Sequence, residues 1–266
     1  MVKKNNNFMQ KFYLTLIFIF LYAPIVTLMV FSFNKSKSMA NWSGFTLDWY
    51  AQLFQNESLM SALYYTVLIA VLSSVISTII GTVSAIGIHH MKNNFTKKVL
   101  LNINQMPVLN PDIVTGIALM SLFIFLKLDF GFTTMLLAHI TFSIPYVILS
   151  VLPKLKQLPK NTTDAALDLG ATPMYAMRKI IIPQIKPGIV SGFLMAFTMS
   201  IDDFVISFFT TGNGVSNLSI EIYSMARRGI KPEINALSTI IFLVVLTLLL
   251  IINKKQSAGG DNIEKN

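Results

Sequence analysis

Residues 62–88 read ALYYTVLIAVLSSVISTIIGTVSAIGI, 27 positions without a single charged side chain. About 20 apolar residues in a helix span the hydrocarbon core of a bilayer, so this stretch is long enough to cross one. Two other runs are equally free of charge, 13–33 and 236–252, and three more carry a few polar residues, 107–126, 132–152 and 189–209. The sequence therefore predicts an all-α membrane protein with six transmembrane helices. Open sheet edges cannot face lipid, and the alternating pattern of a membrane barrel is absent. Composition agrees: of 266 residues, 53% are hydrophobic and 12% charged, about half the charge of an ordinary soluble domain. No cysteine is present, which excludes disulfides, a thiol nucleophile and Cys-ligated metal.

The first run follows Lys3, Lys4 and Lys11, and Ser38-Met39-Ala40 has small residues suited to a signal peptidase. The run is longer than the apolar region of a signal peptide, however, and the small residues lie several positions past its end, so a retained helix is expected. With six spans both termini share one side. Segments 1–12, 89–98, 153–188 and 253–266 on that side hold 15 of the 21 Lys and Arg, and 34–61, 127–131 and 210–235 hold the other six. The positive-inside bias places both termini in the cytoplasm. It also explains the net charge of +9 without nucleic acid as a partner. The expected organisation is an N-terminal tail, first helix and external segment over 1–61, a five-helix core over 62–252, and a disordered cytoplasmic tail over 253–266. Trp42, Trp49 and Tyr50 in the external segment suggest a helix lying at the membrane surface.

The cytoplasmic loop 153–188 is too long for a plain connector and too polar to span. Thr162 or Thr163 can cap a helix, Asp164 suits its first turn, and Gly170 suits the position just past its end. Thr172-Pro173 restarts a helix, which Pro183 and Pro187-Gly188 are expected to end. Ala165, Ala166 and Leu169 give the first helix a small apolar face. Such a face fits either a groove on another protein or the chain's own bundle.

That loop resembles the cytoplasmic signature of permease subunits in binding-protein-dependent ABC importers, whose pattern is Glu-Ala-Ala, three residues, Gly, nine residues, Ile-x-Leu-Pro. Here the order is Asp164-Ala165-Ala166, then Gly170, then Ile180-Ile181-Ile182-Pro183, with the spacing intact and Asp and Ile182 in place of Glu and Leu. A narrower similarity, to the second permease subunit of spermidine/putrescine importers, runs from about residue 60 to 250. It is carried by Asn110-Pro111-Asp112-Ile113-Val114, by Asp202-Asp203-Phe204-Val205-Ile206-Ser207-Phe208-Phe209-Thr210-Thr211-Gly212, by Ile222-Tyr223-Ser224-Met225 and Arg228-Gly229, and by the stretch from Pro232 to Thr239. It departs at Asn213-Gly214, where Gly-Pro is expected, and at Glu221, where Lys is common. The resemblance implies a type I ABC importer permease in the cell membrane, paired with a second permease as a heterodimer, two ATPase subunits and an external polyamine-binding protein. It implies that Asp164, Ala165, Ala166, Leu169, Gly170, Ile180 and Pro183 couple to the ATPase.

Of the 12 acidic residues, Asp112, Asp202 and Asp203 fall inside spans, and none of the 21 Lys or Arg does. One carboxylate at the bilayer centre costs about 2.5–3.5 kcal/mol, so three facing lipid would cost roughly 8–10 kcal/mol. They are expected to face the bundle interior, a partner or water, with no basic side chain of this chain beside them. Counted as straight helix at ~1.5 Å per residue, Asp112 lies ~20 Å beyond Lys98 and Asp202 ~24 Å beyond Lys186. Asn110-Pro111 suggests a helix break, with Asn110 as cap and Pro111 as first helical residue. Thr198 and Asp202 share one helical face, with Phe204 close behind. Carboxylates and aromatic rings suit an organic polycation. Protonated acids bonding between helices, or acids paired with a partner's base, remain open at this point.

Adjacent His89-His90 have no third ligand in view, so no metal site is expected, and the fourteen Met residues read as packing. Gly is never followed by Lys, so the phosphate loop of an ATPase is missing and ATP must bind a partner subunit. No catalytic residue and no cofactor of its own are expected. Two other readings are a permease of this architecture for an oxyanion or ferric iron, and an intramembrane aspartyl protease using Asp112 and Asp202, for which the usual Gly-x-Gly-Asp is missing.

Overall fold

In hydrocarbon each backbone N–H and C=O must be satisfied within its own segment, so the apolar runs fold as helices. A computed structural model describes residues 7–38, 40–159, 162–212, 214–228, 232–243 and 246–247. Among them are α1 (Asn7–Phe31), α2 (Asp48–Gln55), α3 (Glu57–His90), α4 (Asn94–Leu109), α5 (Asp112–Phe125), α6 (Phe132–Gln157), α7 (Thr162–Asp168), α8 (Pro173–Ala176), a π-helical turn at Met177–Ile181, α9 (Ile182–Asp202), α10 (Val205–Thr210) and α11 (Leu218–Arg228). A further apolar helix, α12, covers Pro232–Leu243. The described regular structure is helical apart from two isolated β-bridges.

Among the described residues four helices are long and apolar enough to cross a membrane: Met9–Phe31, Glu57–His90, Phe132–Gln157 and Pro173–Asp202. The pair α4 and α5 meets the same test together but bends by 106° at its break. The sixth expected span, 236–252, and the tail 253–266 lie partly or wholly outside the described residues.

The chain divides into two units, Met1–Met60 with Ile222–Asn266 and Ser61–Glu221. In the first, Asn34 is fully buried and organises the loop after α1. Its Nδ2 donates to the carbonyls of Ser38 and Asn41, and its Oδ1 accepts from the N–H groups of Ser36 and Ser43. Trp49 donates its indole N–H to the Asn34 carbonyl at 2.7 Å and is buried, and Tyr50 pairs its hydroxyl with Ser32. Of the aromatics expected at a membrane surface, only Trp42 is exposed. Trp49 and Tyr50 turn inward because their polar tips find partners there.

The second unit is built around α6. Gly188, Gly192 and Ala196 form a small-residue stripe at four-residue spacing on α9, which brings that helix against α6. Gly192 comes so close that an added Cβ would stand 3.2 Å from the Val147 Cα, and Gly81 of α3 packs on the same Val147. Val147, Ile148, Val151, Leu152 and Leu155 fill this core with Ile181, Ile185, Ala85 and Ile88. A second cluster, Leu119, Phe123, Ala138, Phe142 and Ile206, joins α5, α6 and α10.

Three expectations are corrected. Pro183 and Pro187-Gly188 do not end the helix begun at Pro173, which runs unbroken to Asp202. A proline at 183 has no N–H and its ring would crowd the carbonyl four residues back. The turn ahead of it widens to π spacing, with the Ile182 N–H on the Met177 carbonyl, and Gly188 is held in the helix by its contact with α6. The span expected at 189–209 instead ends at Asp202 and breaks before Val205. The break at Asn110-Pro111 is present, but Asn110 closes α4 and Pro111 caps α5. Because of the 106° bend, distance along the chain from Lys98 does not measure the depth of Asp112.

Candidate functional site

Asp112 occupies the first turn of α5, where the helix dipole favours a carboxylate, and its side chain is exposed. Asp202 is the last residue of α9 and is also exposed. Thr198, one turn earlier, is exposed as well, with its hydroxyl on the Leu194 carbonyl at 2.7 Å. The charges of Asp203 and Asp112 both act on Asp202, and Asp112 also acts on Tyr146 of α6. The bend of α4–α5 and the break after α9 thus bring two exposed acids into electrostatic reach of each other. Phe204 follows at the break, its ring 5.5 Å from that of Phe208.

Asp203 is different. It leaves the helix at ψ 124° and turns its carboxylate back to cap α10. Oδ1 accepts from the Ile206 N–H at 3.1 Å, and Oδ2 accepts from the Ser207 N–H at 2.7 Å and the Ser207 hydroxyl at 2.8 Å. Its backbone carbonyl accepts from Asn217 Nδ2 at 3.0 Å. Here the expectation of unpartnered acids fails. His139 of α6, buried at 1% exposure, places Nε2 3.5 Å from Asp203 Oδ2. The same ring meets Ser200 Oγ through Nδ1 at 2.6 Å and Ser207 Oγ through Nε2 at 2.9 Å. Counting only Lys and Arg missed this residue. The available signal was an ionisable ring in the middle of the apolar run 132–152, since such residues inside spans are rare and face the interior.

In the signature loop the expected helix, turn and second helix are present, but Thr162 and Thr163 lie inside the first helix and the second runs on through Pro183. α7 ends in a Schellman motif: the Ala171 N–H reaches the Ala166 carbonyl, and the Gly170 N–H the Leu167 carbonyl. Gly170 has φ +85°. Thr172 caps the next helix, its hydroxyl accepting from the Tyr175 N–H, with Pro173 in the first turn. Ala166 is buried, Ala165 is exposed, and Leu169 stands out at 89% exposure. Ala166, Leu169, Gly170, Tyr175 and Ile180 border an open groove of about 470 Å³. Pro183 lies exposed in the first turn of α9. Asp164 lies within α7, and its side chain lies outside the described residues. Among the described residues no cluster of three metal-ligating side chains occurs.

Membrane-length helices and a helix–turn–helix signature ahead of α9 are the features that the resemblance to importer permeases leads one to expect, and comparison with known proteins agrees. The family described as binding-protein-dependent transport system inner membrane component matches residues 77–255, and the chain belongs to it. Among its relatives are the spermidine/putrescine transport system permease protein PotC of Shigella flexneri, 38% identical over 94% of this chain and 96% of that one, and PotC of Escherichia coli K12, 39% identical over 90% of each. The putrescine transport system permease protein PotI of E. coli K12 is 38% identical over 84% of this chain and 82% of its own length. In fold the chain resembles a bacterial ABC transporter that imports alginate, at TM-score 0.71 and 12% identity over 97% and 98% of the two chains. It also resembles the MetNI methionine transporter, at TM-score 0.60 and 16% identity over 74% and 93%.

Proposed function

We propose that this chain is a transmembrane permease subunit of an ATP-driven polyamine importer, carrying spermidine or putrescine into the cytoplasm by alternating access. The observation that carries the reading is the 38–39% identity, over 90% or more of both chains, to permeases named for spermidine and putrescine. The site chemistry agrees with it. Asp112 and Asp202 are exposed acids in mutual electrostatic reach, and an anion path would instead need basic groups. Carboxylates attract ammonium groups, and the rings at Phe204 and Phe208 add cation–π attraction.

In this reading six spans place both termini in the cytoplasm. The chain pairs with a second, similar permease, and α7 docks through the exposed Ala165 and Leu169 on one of two ATPase subunits, with the buried Ala166 packed behind them. ATP binds there and not on this chain, which needs no cofactor. An external polyamine-binding protein delivers substrate. ATP and substrate are coupled insofar as both bias the same two-state arrangement of the spans.

The test is uptake of radiolabelled spermidine into proteoliposomes holding the complete transporter. Asp202→Asn and Asp112→Asn are expected to lower uptake while ATPase activity persists. Wild-type uptake in both variants removes these acids from the path, and a wild-type transporter that ignores spermidine and putrescine removes the polyamine assignment.

A further inference from the structure

His139 is the most deeply buried ionisable side chain among the described residues, and the substrate path as read above does not use it. Counting hydrogens fixes how it sits. The Ser207 hydroxyl has one proton and gives it to Asp203 Oδ2 at 2.8 Å. Asn217 Nδ2, which can only donate, stands 2.7 Å from the same Ser207 oxygen. His139 Nε2, 2.9 Å from that oxygen, meets a group whose proton is already committed, so Nε2 carries the hydrogen and donates. In the neutral ring Nδ1 then accepts the Ser200 proton across 2.6 Å, and the Ser200 oxygen accepts from Ser73 at 3.2 Å. The donations run in one direction, from Ser200 through His139 and Ser207 to Asp203.

This chain of bonds bridges the break between α9 and α10. Ser200 lies just before it on α9 and Ser207 just after it on α10, and one imidazole from α6 holds both. Asp202 and Phe204 flank Asp203 at the break itself. We propose that His139 is a positioning residue: through Ser200, Ser207 and Asp203 it fixes the break that presents Asp202 to the translocated cation. This rests on the reading of Asp202 as a path residue.

The test uses the complete transporter in proteoliposomes, with spermidine KM and Vmax expressed per assembled complex. A Gln at 139 places its amide where Nε2 stood and keeps the donation to Ser207. An Asn places its amide where Nδ1 stood and loses that donation. KM is expected to rise about tenfold in His139→Asn, which releases Ser207 and with it the Asp203 side of the break, the order of one buried hydrogen bond, and to rise less in His139→Gln, which keeps Ser207 and releases only Ser200. Vmax per complex and substrate-independent ATPase activity change less in both variants. In an Asp202→Asn background, His139→Asn is expected to add no further rise, because both act on one contact. A wild-type KM in His139→Asn, or a full rise that persists in the Asp202→Asn background, overturns the proposal. A second arm does not depend on substrate. In ¹⁵N-histidine-labelled protein, the signal lost in His139→Gln is expected to report hydrogen on Nε2, and hydrogen on Nδ1 overturns the bonding order. If the wild-type transporter takes up no spermidine, the polyamine reading fails and the tautomer still decides the strut.

Discussion

Two glycines on the same helix make a sharp test of the packing around α6. An added Cβ at Gly87 meets nothing within 4 Å, whereas one at Gly81 would stand 2.7 Å from both Cβ and Cγ1 of Val147. Gly87→Ala therefore brings only the gain of a better helix former, about 0.5–1 kcal/mol. Gly81→Ala brings the same gain with a clash. Carbon atoms rest about 3.5–4.0 Å apart, so α3 must withdraw from α6 by about 0.8 Å. Val147 cannot give way: it is fully buried, β-branched and already tight against Gly192. Overpacking of this kind costs about 1–3 kcal/mol, and a 2.7 Å contact against a side chain that cannot move sits toward the upper end of that range, leaving Gly81→Ala destabilised by up to about 2.5 kcal/mol after the helix gain. The assay is thermal unfolding of the purified transporter in detergent, read by loss of the folded peak on size exclusion. Gly81→Ala is expected to melt below wild type and Gly87→Ala at or above it. Adding Val147→Ala removes the Cγ1 clash and leaves the Cβ one, so it restores part of the loss. Equal midpoints for the two glycine variants would refute the packing.

Other outcomes follow from the same coordinates. The double variant Asp112→Asn with Asp202→Asn is expected to lose less uptake than the two single losses combined, because the charges act on each other; strictly multiplicative losses would separate them. Leu169→Asp puts a charge on the most exposed apolar residue of the cytoplasmic signature, and the permease pair is expected to co-purify without the ATPase subunits; retained ATPase at wild-type ratio would move the contact elsewhere. Gly170→Ala forces a side chain into φ +85°, which costs about 1–2 kcal/mol and is expected to fray the end of α7 by hydrogen exchange. Gly170→Asn, which tolerates that conformation, is expected to fray it less.

Much of this was legible from sequence. The apolar runs mark four described spans because their length alone separates them from soluble helices, and Gly170 and Thr172 mark a turn because few residues do what those positions require. The break at Pro111 was legible for the same reason. The break after Asp202 was not: residues 189–209 look like one continuous apolar stretch, and what interrupts it is the Asp203 carboxylate capping α10. Nor was the partner of that carboxylate. His139 lies 64 positions away, and only folding brings its ring beside Ser200 and Ser207. Proline misled in the opposite direction. Pro183 and Pro187 look like stops, yet a widened turn and the close approach of Gly188 to α6 carry the helix through them.

That uninterrupted passage has a mechanical consequence. Pro173–Asp202 is one piece of 30 residues, about 45 Å from end to end at 1.5 Å per residue. One tip bears the cap at Thr172 and the other bears the acid at Asp202. A rigid rod of that length turns a slight tilt at one tip into ångströms of travel at the other.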